Sequence, residues 1–163
     1  MKHILTACLA FLLTGITAHA TTQTLNRSII FRELIVSHSL KPELRDNKYI
    51  LPSSAFVKEQ LIPFYLAYAQ QNLAPALDND ALSIGLCHVF QSIAYQANIR
   101  GGGAKKGDVP VGVIRTRAKG SFDLVHKILI RTETGWYVMH PNNGELTQLI
   151  QFRKENEIFR VII

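Results

Sequence analysis

The spacing of apolar residues changes part-way along this chain, and the change restricts what it can fold into. Before the Gly101-Gly102-Gly103 run, apolar residues recur at intervals of three and four; from Val109 on, they alternate. Residues from about Leu25 to Leu40 predict a helix closed by Pro42. Residues 54–74 predict a second, with Val57, Leu61, Phe64, Tyr65 and Tyr68 on one face, kinked at Pro63 and ended by Pro75. Leu86, Val89, Phe90, Ile93, Ala94 and Ala97 form the clearest stripe, preceded by Gly85, which puts Cys87 in the first turn of that helix. Strands are then predicted around Val111–Arg115, Phe122–Arg131, Trp136–His140 and Ile158–Ile163. Helices first and strands afterwards imply an α+β domain, with N-terminal helices packed on a C-terminal antiparallel sheet. The glycine-rich stretch to Gly107 lacks the Lys-Ser/Thr ending of a phosphate-binding loop and reads as a flexible connection.

Residues 1–20 are set apart from this pattern. Lys2, the apolar run Ile4–Ile16 and the ending Ala18-His19-Ala20 have the three parts of a cleavable secretory signal, with maturation at Thr21. The run is shorter than the roughly 20 residues of a spanning helix, and no second segment approaches that length. Residues 21–163 then make a single domain, secreted or periplasmic. They carry 17 Lys and Arg against 12 Asp and Glu. Such a basic balance suits an anionic envelope partner. The basic residues are scattered and no nucleic-acid motif accompanies them, which argues against a nucleic-acid ligand.

Small exported proteins usually carry paired cysteines. Here the mature chain keeps one, Cys87. It is a buried inert residue, an intermolecular disulfide partner, or a reactive thiol. A helix N-terminus and a neighbouring imidazole would both favour the thiolate. In the second predicted strand, His126 shares a face with Phe122, Leu124, Ile128 and Ile130, and that face is expected to pack inward. A three-residue turn Glu133-Thr134-Gly135 would set Thr132 opposite Trp136. His126 then faces Asn142, with His140 diagonal to it on the same side. Zinc held by Cys87, His126 and His140 is an alternative that no paired-ligand spacing supports. His88 reads as an ordinary helix residue.

Gly85-Leu86-Cys87 heading a helix, His126 in a strand 39 residues on, and Gly135-Trp136-Tyr137-Val138-Met139-His140-Pro141 in the next strand resemble the transglutaminase-like branch of the papain-like cysteine hydrolases. His140-Pro141-Asn142-Asn143-Gly144-Glu145 is also similar to type III effector cysteine proteases and to the leader peptidases of bacteriocin exporters. The resemblance covers about residues 80–150 and implies a papain-like fold with no cofactor. It implies an exported thiol hydrolase of amide bonds in a peptide, protein or peptidoglycan. Cys87 would be the nucleophile and His126 the base, oriented by His140 or Asn142. The family's aspartate position holds His140, which cannot stabilise an imidazolium by charge. An acyl transferase, or an inactive envelope protein of the same fold that binds a protein partner, are the alternatives.

Overall fold

A computed structural model describes residues 23–72, 79–100 and 109–163; residues 1–20, expected to be a signal, and the glycine-rich stretch 101–107 lie outside these. The chain opens on a strand, β1 (Thr24–Asn26), followed by helix α1 (Arg27–Arg32), which continues as a π-helical turn over Glu33–Ser37. Two short strands follow, β2 (Pro42–Glu43) and β3 (Lys48–Ile50). Helix α2 (Ser54–Phe56) runs through a π-helical turn, Val57–Leu61, into α3 (Ile62–Asn72). Pro63 has no N–H to donate and its ring crowds the carbonyl four residues back. The wide turn immediately before it relieves that clash, so the helix runs on through the position where a kink was expected. Helix α4 (Asn79–Arg100) precedes β4 (Val111–Ala118), β5 (Val125–Thr132), β6 (Gly135–Met139) and β7 (Leu146–Gln148). Helix α5 (Leu149–Glu155) then leads into β8 (Asn156–Ile162).

Six strands form one sheet in the order β2-β8-β4-β5-β6-β7, and β1 with β3 forms a separate antiparallel pair. Every pairing in the large sheet is antiparallel except β2 with β8. The consecutive residues Ile128, Leu129 and Ile130 are all fully buried, which a strand covered on one face cannot achieve. Their side chains alternate between two cores. Leu129 joins Ile30, Leu34, Ile114, Val138, Leu149 and Val161. Ile128 and Ile130 join Val57, Leu61, Tyr65, Leu86, Phe90 and Met139.

The expected layering, N-terminal helices on one side of a C-terminal sheet, is therefore corrected. Because the central strands are apolar on both faces, helices must cover both: α1 and α5 on one, α2 to α4 on the other. The N-terminal part also supplies strands, and β2 is an edge of the main sheet. Leu25, expected in a helix, lies in β1, and Phe122, expected inside, is 93% exposed.

Candidate functional site

Cys87 lies in the third turn of α4, which begins eight residues earlier at Asn79. The N-terminal placement expected to favour a thiolate is thus absent. The side chain has no solvent exposure. Burial alone pushes its thiol pKa up to about 12, so at neutral pH it is a protonated, enclosed group.

His126 is half-buried near the start of β5, opposite Arg115 of β4. Alternation gives it the face of Ile128 and Ile130, which belong to the same core as Cys87. That part of the sequence reading agrees with the structure. Over the same core, the Tyr65 ring meets Phe90 edge-on at 5.4 Å, and its hydroxyl donates to the Pro141 carbonyl at 2.6 Å. Burial first, and the proximity of Cys87 second, raise the Tyr65 pKa, so this hydroxyl stays a donor. Sequence reasoning placed Tyr65 on a helix face and missed this bond, which only chain folding creates.

His140 is somewhere else. The hairpin turn has two residues, Glu133 and Thr134, and Thr132 faces Gly135, not Trp136. Gly135 takes the positive φ of 141° that closes so short a loop. This shift by one residue reverses the face of every later side chain. Ile128 then pairs with Met139, and Leu129 with Val138. Continued by one step, the register aligns Lys127 with His140, on the face opposite to His126. His140 keeps an extended partner beyond β6, its N–H donating to the Glu145 carbonyl at 2.9 Å. Lys127 of β5, His140 just past β6 and Glu145 just before β7 thus line up in a row. Burial and then the Lys127 charge lower the His140 pKa, against the opposing pull of Glu145. Asn142 is exposed, and its backbone N–H donates to His140 Nδ1 at 3.4 Å.

The row Cys87–His126–His140, with Asn142 as the other orienting group, is therefore not assembled: Cys87 lies in the core that covers the face of His126, whereas His140 is on the other face and Asn142 is exposed. No group of three His, Cys, Asp or Glu side chains that could hold a metal occurs among the described residues, and the zinc alternative lacks its third ligand for the same register reason. Among the described residues no helix is long and apolar enough to cross a membrane.

A second feature was not foreseen. Asn26, Arg27, Ser28, Phe31 and Asn47 line an open concavity of about 530 Å³ where α1 leaves the β1–β3 pair. Two of its lining residues are joined by the Arg27 N–H, which donates to the Asn47 carbonyl at 2.9 Å. The strand pairing that brings Asn47 beside Arg27 has no period long enough to be read in sequence: β1 and β3 have three residues each.

No family model and no curated protein matches this chain. Solved structures do. One is titled "PSL1a-E64 complex", with a TM-score of 0.65 and 11% identity over 86% of this chain and 50% of that one. Another is a Polyporus squamosus lectin bound to the human-type influenza-binding epitope Neu5Acα2-6Galβ1-4GlcNAc, with a TM-score of 0.63 and 10% identity over 86% of this chain and 49% of that one. This chain is similar in fold to part of these proteins and spans about half the length of each. The resemblance to papain-like, transglutaminase-like hydrolases is corrected by these comparisons: no model of that family matches, and a lectin stands among the structural neighbours. The thiol-hydrolase reading is corrected with it, on the same finding and on the enclosed, protonated state of Cys87.

Proposed function

We propose that this chain is an exported binding protein that holds a carbohydrate-bearing ligand without cleaving it. One observation carries the reading: the only thiol outside the signal segment is sealed in the core and pushed to a pKa of about 12, so it is no nucleophile at neutral pH. The fold shared with a lectin that binds a sialylated epitope supports the choice of carbohydrate. The basic balance of the sequence favours an acidic ligand. In this reading residues 1–20 direct export, and residues 21–163 form the binding domain.

The test has two arms on the mature protein. Calorimetric titration with Neu5Acα2-6Galβ1-4GlcNAc and with neutral Galβ1-4GlcNAc should show saturable binding of at least the acidic sugar. Iodoacetamide at pH 7, read by mass spectrometry, should leave Cys87 unmodified until denaturant is added. Rapid labelling of the native protein at Cys87 would overturn the proposal, because an enclosed thiol cannot react at that rate.

A further inference from the structure

We infer that the concavity between α1 and the β1–β3 pair is the ligand site, and that it takes a saccharide bearing a carboxylate; this rests on the carbohydrate-binding reading. Four polar residues line it, Asn26, Arg27, Ser28 and Asn47, all exposed. None of the four makes a hydrogen bond or ion pair through its side chain among the described residues. Two arginines of the sheet are engaged by carboxylates, Arg117 of β4 with Glu157 and Arg160 of β8 with Glu43. Among the described residues Arg27 has no such carboxylate, so its planar fork is open to a bidentate acid from outside.

The chemistry of the lining distinguishes a sugar from a simple anion. Two carboxamides and a hydroxyl offer paired donors and acceptors, the complement of vicinal hydroxyl groups. Phe31 contributes a ring that remains 44% exposed at this concavity, although it lies on a helix whose neighbours Ile30 and Leu34 are fully buried. An exposed aromatic face beside polar groups suits the apolar face of a pyranose ring. The Arg27 backbone N–H is already held by Asn47, so recognition falls to side chains and not to the end of the helix. The volume, about 530 Å³, is within the range of ligand clefts and accommodates one to two sugar rings.

Saturation-transfer NMR and calorimetry with galacturonic acid oligomers, the Neu5Ac trisaccharide and neutral lactosamine would test the site. Arg27→Ala should weaken acidic-sugar binding about tenfold or more and abolish the preference over the neutral sugar. Phe31→Ala and Asn47→Ala should each weaken both sugars. Arg115→Ala, which removes an exposed charge on the opposite face of the sheet, should change nothing. Unaltered thermal melting of each variant separates lost contacts from lost folding. Undiminished binding by the Arg27, Phe31 and Asn47 variants would overturn this site and leave the binding function standing. Equal affinity for acidic and neutral sugars would overturn the carboxylate assignment. Failure of every saccharide to bind the unaltered protein would overturn the function itself, and the site with it.

Discussion

Glu33 and Arg131, separated by 98 positions in sequence, form a two-pronged ion pair between the first helix and the centre of the sheet. Arg131 Nε lies 2.9 Å from one carboxylate oxygen and Nη2 3.1 Å from the other. The Trp136 indole N–H donates to the same carboxylate at 2.9 Å. Three donors on one partly buried carboxylate anchor α1 over the face that holds Leu129 and Val138.

Replacing Glu33 by Gln should therefore destabilise the fold by about 1–3 kcal/mol in urea denaturation, since Arg131 loses its charged partner and keeps only its bond to the Thr132 carbonyl. The pair also predicts a pH dependence. Burial pushes the Glu33 carboxyl up, but the hydrogen bonds and charge of Arg131, with the Trp136 bond, outweigh it and hold the carboxyl below its ordinary value of 4.5. A depressed acid contributes stability in full above its unfolded pKa and loses it as pH falls through the folded one. Glu33→Gln should thus flatten the wild-type decline in stability below about pH 4.5. An unchanged acid limb in the variant would count against the pair.

The turn after β5 caps a helix. Ser54 N–H lies 2.8 and 2.7 Å from the two oxygens of Glu133, while Ser53 accepts from the Phe56 N–H at 3.1 Å. Glu133→Ala should cost about 0.5–1 kcal/mol, and Ser53→Ala about 1 kcal/mol. Both are measurable as shifts in melting temperature, with the Glu133 effect reduced by added salt because it is exposed.

Two glycines should respond oppositely to alanine. A Cβ on Gly112 would sit 2.1 Å from the Ile162 carbonyl oxygen, where β4 pairs with β8. Backbone must move to admit it, so Gly112→Ala should destabilise by about 1–3 kcal/mol or more. A Cβ on Gly85, inside α4, meets nothing within 4 Å. Gly85→Ala should stabilise by about 0.5–1 kcal/mol through helix propensity. Equal effects at the two positions would contradict the described β4–β8 approach.

The row Lys127–His140–Glu145 should make the sheet end sensitive to mild acid. Burial and then Lys127 hold the His140 pKa below 6.5, so the unfolded chain takes up its proton more readily than the folded one. Stability should fall as pH drops below about 6.5, and Lys127→Met should weaken that fall by removing the opposing charge. NMR titration of the His140 ring in both proteins checks the direction. A His140 that titrates above 6.5 would show the row to be wrongly placed.

Periodicity alone located the helices over Val57–Tyr68 and Leu86–Ala94 and the strands carrying Val111, Ile128, Val138 and Val161, because each repeats long enough for burial to imprint it on the sequence. It also placed His126 on the face of Ile128 and Ile130, since alternation within one strand is a local property. What the sequence could not decide was everything that depends on one strand meeting another. The turn between Thr132 and Gly135 is one residue shorter than its composition suggested, and this single step moved His140 from beside His126 to the far side of the sheet. The length of α4 is equally non-local in effect: its start at Asn79 took Cys87 from an exposed helix end into the core, where burial keeps the thiol protonated. The concavity at Arg27 and Asn47 arises from two three-residue strands whose pairing is stabilised by the packing around them. Side-chain identity is written along the chain, but which face, which neighbour and how much water each side chain meets are fixed only when registers are chosen, because register energy is summed over contacts distant in sequence.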